Sequence, residues 1–195
     1  MNIKKIVNFI FEINQLKQRK TSGWYLAGVN NPPSVAEHSL RAAQIGYILA
    51  TMENANAEKV ATMLIIHDNV EARIGDQNKV SARYFSKKEA EEKAFQEQIS
   101  DLGEQIERKW KEYFNEFEKR NTPEGIISKD ADWLETAFQA KEYLDLGYYS
   151  AQNWIDNVEK ALETTSAKQI IQEMKQTTFT EWWKNLKKMT YKKLQ

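Results

Sequence analysis

The sequence contains no cysteine. That excludes disulfides, thiol nucleophiles, thiolate zinc sites and cysteine-ligated iron–sulfur clusters, and it suits a reducing, cytoplasmic setting. Histidine is almost as scarce: His38 and His67 are the only two, so any chemistry that needs imidazole must draw on them. Seven glycines and three prolines make up about 5% of the chain, against roughly 12% in average usage. So few turn-makers imply few, long elements, which means helices. The longest apolar run, Val60 to Ile66, is interrupted by Thr62 and falls far short of the roughly 20 residues a bilayer demands. After Lys4 and Lys5, the residues Asn8, Glu12 and Asn14 break the apolar pattern, so no secretory leader is evident. There is no net charge, with 28 basic and 28 acidic side chains. No global field therefore draws the protein to nucleic acid or to an anionic membrane.

What is present points to one all-α domain. A chain of 195 residues is a prior for a single domain, read here as a core over about 8–150 and a helical extension over about 151–195. Ile3, Ile6, Val7, Ile10, Ile13 and Leu16 recur at helical spacing and predict a helix over about 2–18. Ser34-Val35-Ala36-Glu37 is a capping box, which starts a helix over about 35–52 with Val35, Ala42, Ile45 and Leu49 inward. A third helix, over about 57–73, is apolar almost all round and reads as central and buried. A polar loop over 76–85 follows. The charged segment Ser86–Arg120 reads as a solvated helix or helix pair broken near Gly103. Thr122-Pro123 is an N-cap followed by proline in the first turn, opening a helix that ends near Gly147. Ser166-x-x-Gln169 and Thr178-x-x-Glu181 read as capping boxes of short C-terminal helices. The basic residues Lys184, Lys187, Lys188, Lys192 and Lys193 read as a solvated helix end placed near the negative pole of the dipole, with an anionic partner as the alternative.

The chemistry concentrates in His67-Asp68-Asn69-Val70-Glu71, where three ionisable groups terminate the most apolar helix. On a helix all three fall within a sector of about 100°. A buried carboxylate beside a histidine is costly unless something compensates it, and a divalent metal compensates both, since imidazole and carboxylate suit Mn, Fe, Co, Ni or Zn. His38 lies in the first turn of the preceding helix. Antiparallel packing of the two helices would bring it beside His67 and Asp68. A further carboxylate could come from the segment Lys129-Asp130-Ala131-Asp132-Trp133-Leu134-Glu135, and helical spacing does not decide which one. The glycines never fall in a phosphate-cradling spacing, so a phosphate would have to be held by metal and cationic side chains; Arg19, Lys20 and Lys79 are the candidates.

Three separated pieces, Ser34-Val35-Ala36-Glu37-His38-Ser39, His67-Asp68-x-x-Glu71-x-x-x-Gly75-Asp76 and Lys129-Asp130-Ala131-Asp132-x-Leu134-Glu135, resemble in order and content the HD-domain metal-dependent phosphohydrolases, most closely the branch with the 5′-deoxynucleotidases. Glu91-x-x-Ala94 and Trp110-x-Glu112-Tyr113 are similar to that branch as well. The resemblance implies an all-α fold, a homodimer, and one divalent cation (Co, Mn, Mg, Ni, Fe or Zn) held by His38, His67, Asp68 and Asp132. It places Glu71 and Asp76 near the reacting phosphate as acid–base or water-orienting groups. It also puts Trp24, with Arg19 or Lys20 before it, on the phosphate and sugar. Two departures stand out: Gly23 directly precedes Trp24 where some relatives have the basic residue, and Gln77-Asn78-Lys79 replaces a segment in which relatives often carry proline. The implied activity is removal of phosphate from nucleoside 5′-monophosphates, with deoxynucleotides foremost, by a metal-activated water and carboxylate acid–base groups. The alternatives are hydrolysis of nucleoside di- or triphosphates or of a modified nucleotide, and a non-catalytic nucleotide-binding module.

Overall fold

The computed structural model describes residues 2–84, 86–100, 102–184 and 186; Lys187, Lys188, Lys192 and Lys193 of the basic tail lie outside them. Among the described residues the chain is all-α, and its extended pairing is limited to one isolated antiparallel bridge between Lys20 and Ser34. Helix α1 (Ile3–Ile13) is capped by the Asn2 side chain, which accepts from the Lys4 and Lys5 amides. It does not run on to residue 18. Asn14–Lys17 tighten into a 3-10 turn that tucks Leu16 against Val35 and Ala72. A single turn, α2 (Gly23–Leu26), precedes α3 (Val35–Met52), whose capping box forms as expected: the Ser34 hydroxyl accepts from the Glu37 amide, and the Ser34 amide donates to Glu37.

Helix α4 (Ala57–Ile66) begins on an Asn56 cap and stops at His67, so the expected continuous helix over 57–73 is corrected. From residue 67 the bonds shorten to the three-residue kind, as in Asn69 N–H to Ile66 O and Glu71 N–H to Asp68 O, before the one-turn α5 (Glu71–Ile74). Buried Gln98, from a helix further along the chain, donates to the Asn69 carbonyl at 2.9 Å, which satisfies backbone in the break. Nor is α4 buried all round, because Ile65 is 58% exposed. A short 3-10 turn, Ser81–Arg83, interrupts the polar loop. The charged segment is the expected pair, α6 (Lys87–Ile99) and α7 (Glu104–Lys119), broken at Gly103, whose φ of 101° is cheap only for glycine. Helix α8 (Pro123–Asp145) starts on the Thr122 cap. Helix α9 (Gln152–Ala161) opens the expected helical extension, at a place where no capping signal marks its start. Helix α10 (Thr165–Gln176) is capped by Thr164, not Ser166, and the stretch after Thr178 forms only a 3-10 turn, Glu181–Trp183. No helix among the described residues is long and apolar enough to cross a membrane.

Helix α3 packs most extensively on α4 and α8. Gly46 permits the approach: a Cβ there would stand 2.9 Å from Val60 Cγ1 and closer still to Leu64, in a fully buried place. A large core built around α3, α4 and α8–α10 meets a smaller one of Ile66, Val70, Phe95, Ile99 and Phe114. His67 sits at the seam, its ring 5.1 Å from that of Phe117.

Candidate metal centre

The antiparallel packing of α3 on α4 brings the start of one to the end of the other, and the His38 and His67 rings lie with centroids 5.5 Å apart. Both are buried. Each Nδ1 is engaged from behind. His67 Nδ1 donates to the Leu64 carbonyl at 2.7 Å; a carbonyl can only accept, so Nδ1 carries a proton and Nε2 is the nitrogen left to serve a cation. His38 Nδ1 is held by the Glu135 carboxylate, with the same result. Both Nε2 atoms then face carboxylates. His38 Nε2 is 3.1 Å from Asp132 Oδ1 and 3.6 Å from Asp68 Oδ2; His67 Nε2 is 3.1 Å from Asp68 Oδ2 and 3.7 Å from Asp132 Oδ1. Ligand atoms of His38, His67 and Asp132 lie within 4.8 Å of one another.

The residues fit a cation. His67 Nε2 is buried and makes no well-aligned hydrogen bond, although two carboxylates stand within ion-pair distance. The donor set of two imidazoles and two carboxylates suits a divalent first-row metal. The electrostatics agree. Burial works against protonation of His67, yet Asp68 and Asp132 raise its pKa to about 10. Burial is likewise outweighed at His38, where Glu135 and Asp132 raise the pKa well above its ordinary value. Burial favours the neutral form of Asp132, but the imidazoles of His38 and His67 and the nearby Lys129 hold its carboxyl well below the usual range. Such a potential favours positive charge, and a metal ion supplies it in one place.

Asp130 serves a different end. It is fully buried and accepts from the Glu163 and Thr164 amides and the Thr164 hydroxyl, which ties α8 to the start of α10. Glu71 is buried beside the cluster. Burial, Asp68 and Asp76 push its pKa up to about 9, against an opposing pull from Lys87. Asp76 is held by the Ser22 amide, and its carbonyl accepts from the Ser22 hydroxyl at 3.1 Å. The segment before the first motif thus lies against α5 and its following loop. Arg19 Nη2 donates to the Ala72 carbonyl at 3.2 Å, whereas its Nε, also buried, has no partner. Trp24 is buried, stacked on Trp154 at 5.2 Å and edge-on to Tyr143 at 5.1 Å. Lys20 lies across from Ser34 and near Glu37, and Lys79 is exposed in the loop after Asp76.

Sequence reasoning assigned no role to Arg41 or Lys87, and offered Glu135 only as one carboxylate among several. Arg41 Nε and Nη2 hold Glu135 at 2.8 and 2.7 Å, and Arg41 Nη1 holds Glu142 at 2.6 Å. The signal was there as spacing: Arg41 stands three residues after His38, and Glu135 three after Asp132, so each shares a helix face with a cluster residue. Lys87, from α6, reaches the cluster across a sequence gap that no spacing rule bridges.

Comparison with known proteins gives a consistent picture. The family model described as HD domain matches residues 13–176, which takes in α9 and α10. The 5′-deoxynucleotidase hdd1 of Schizosaccharomyces pombe is 30% identical over 143 residues, covering 71% of this chain and 72% of that protein. The 5′-deoxynucleotidase HDDC2 of Bos taurus is 27% identical over 144 residues, covering 73% and 70%. A solved structure of a conserved hypothetical protein from Pyrococcus furiosus superposes with a TM-score of 0.72 at 33% identity, over 88% of this chain and 99% of that one.

Proposed function

The chain belongs to the HD-domain family, and from that premise we propose that it is a metal-dependent phosphohydrolase that releases phosphate from nucleoside 5′-monophosphates, deoxynucleotides foremost. The observation that carries this reading is the pair of buried imidazoles whose Nε2 atoms, each fixed from behind, face Asp68 and Asp132. In this reading His38, His67, Asp68 and Asp132 hold one divalent cation. A cation so bound offsets the phosphate's negative charge and lowers the pKa of a water. Glu71, buried beside the cluster with burial, Asp68 and Asp76 pushing its pKa up, is the acid that gives a proton to the leaving oxygen. Asp76, pinned by Ser22, orients the attacking water. Arg19, Lys20, Trp24 and Lys79 are taken as the substrate side; the packing of Arg19 on Ala72 and of Ser22 on Asp76 supports a place near Glu71 for the 19–24 segment, where Trp24 is buried and acts through that packing. The reading takes the protein as cytoplasmic and homodimeric. The dimer is supported by the outer face of α3, where Leu40, Tyr47, Ile48 and Met52 are all exposed.

The test is phosphate release from a panel of ribo- and deoxynucleoside mono-, di- and triphosphates with Mn, Co or Mg, before and after chelation. One phosphate per monophosphate, lost on chelation and regained with metal, is the expected result. No metal-dependent release from any nucleotide would sink the reading, and pyrophosphate or sequential phosphates from the longer nucleotides would move it to the di- or triphosphate class.

A further inference from the structure

A phosphate monoester carries two negative charges, and the cluster it must approach is itself acidic: Asp68, Asp132, Glu71 and Asp76, with Glu91 behind them. One divalent cation offsets part of this, so the site needs side-chain cations that reach the substrate. The three basic residues taken as the substrate side leave room for a further cation. Arg19 has Nη2 committed to the Ala72 carbonyl, Lys20 faces Glu37, and Lys79 is exposed. Arg41 is committed to Glu135, Glu142 and Gln139. Lys129 lies 3.7 Å from Asp132 Oδ2 with its ammonium 3.9 Å from the centre of the Phe117 ring, and so is occupied with a metal ligand and an aromatic face.

Lys87 is different. It is the first residue of α6, and its ammonium lies 2.9 Å from Glu91 Oε1, one turn along the same helix. That contact orders the long side chain in advance. From there Nζ stands 3.9 Å from Glu71 Oε1, too far for a hydrogen bond but within one small ligand's width. An ammonium has three donors, and Glu91 takes one. Beside it lies a cleft of about 200 Å³ lined by Ile74, Gln77, Ser86, Lys87 and Ala90.

We propose that Lys87 is the cation that binds the substrate's phosphate, held ready by Glu91 beside the buried carboxyl of Glu71. The assignment rests on the phosphohydrolase reading and adds to it a residue from α6, outside the three motifs. It makes Glu91 a positioning residue and gives the α5–α6 cleft the substrate's anionic end.

The experiment measures binding of inorganic phosphate to the manganese-loaded full-length chain by calorimetry, for the wild type, Lys87→Met, Lys87→Gln and Lys87→Arg, with manganese affinity measured on the same samples. Lys87→Met and Lys87→Gln should each weaken phosphate at least tenfold with manganese affinity unchanged, and Lys87→Arg should stay within about threefold of the wild type. In turnover, KM should rise by the same factor as the phosphate dissociation constant. Phosphate affinity within twofold of the wild type in whichever neutral variant folds and keeps its manganese would overturn the proposal, leaving Lys87 a counter-ion of Glu91. Failure of the wild type to bind phosphate would overturn it too. Turnover plays no part in the binding arm. A wild type that binds phosphate but cleaves no nucleotide would therefore sink the phosphohydrolase reading alone. A wild type that cleaves nucleotides while Lys87→Met binds phosphate normally would sink the Lys87 assignment alone.

Discussion

His38 and His67 reach the same point by different means: one Nδ1 is anchored by a carboxylate from α8, the other by a main-chain carbonyl of its own helix. The difference has a consequence for mutation. A carboxylate behind a metal-binding imidazole fixes its orientation and strengthens it as a ligand, and losing such a partner typically costs 10- to 100-fold in metal affinity. Glu135→Gln should therefore weaken manganese binding by roughly that factor, measured by competition with a chelating dye, with the helical content unchanged. A second expectation concerns proton linkage at Glu71. Its pKa is about 9 in the metal-free fold, far above an unfolded value of about 4.3, so the folded chain holds a proton that the unfolded chain gives up. Stability is then full below about pH 4.3 and declines as pH rises towards 9, and His67, with its pKa raised to about 10, acts in the same direction above about pH 6.5. Chelator-treated wild type should lose stability to urea between pH 5 and pH 9, and Glu71→Gln should lose less, by about 2 kcal/mol or more at about 1.4 kcal/mol per pKa unit. Equal slopes would show that Glu71 ionises freely. At this scale the two imidazoles and the ordered motifs were legible from scarcity and sequence alone. The ion pairs of Arg41 with Glu135 and Glu142 were not, because they join residues 94 and 101 positions apart and exist only once α3 lies on α8.

Caps and breaks made the elements readable where a side chain or a backbone constraint acts locally. Ser34, Thr122 and Gly103 mark boundaries that the structure keeps. Three hydroxyl residues stand in a row, Thr164, Thr165 and Ser166, and any could cap a helix; the spacing Ser166-x-x-Gln169 favours Ser166, whereas the choice of Thr164 comes from Asp130, 34 positions away, which binds both its amide and its hydroxyl. The break after Ile66 was hidden for a related reason. The apolar pattern runs straight through it, and the Gln98 side chain that satisfies Asn69 belongs to another helix. Helix contacts also fix the tolerance to substitution. Gly125, in the first turn of α8, lies so close to α7 that a Cβ would stand 2.6 Å from the Glu116 carbonyl oxygen, a backbone atom with no freedom to swing aside. Gly125→Ala should thus destabilise the fold by on the order of 1–3 kcal/mol, despite alanine's better helix propensity, as read by thermal or denaturant unfolding.

On the scale of the whole molecule, the apolar surface is unevenly disposed. Ile3, Val7 and Ile10 of α1 are exposed together with Phe11, while Ile6, Phe9 and Ile13 find neighbours in the two smaller cores. Sequence periodicity could show that α1 is two-sided but not how much of its apolar side the fold would cover. The exposed apolar residues on the outer face of α3 are the surface on which the proposed homodimer would pair. Sedimentation should find the wild type as a dimer and Ile48→Lys as a monomer with its secondary structure intact; a monomeric wild type would exclude the pairing. Asp130 and Asp132 of α8 stand two residues apart and, at 100° per residue, on nearly opposite sides of the helix, so one helix serves both the metal centre and helix α10. That sets how far the chain can be shortened from its C-terminal end. Ending it after Gln176 removes nothing that Asp130 binds, whereas ending it before Glu163 strands a fully buried carboxylate without its three donors, inside the helix that carries Asp132. The last helix is thereby made a condition for the geometry of a centre to which it contributes no ligand.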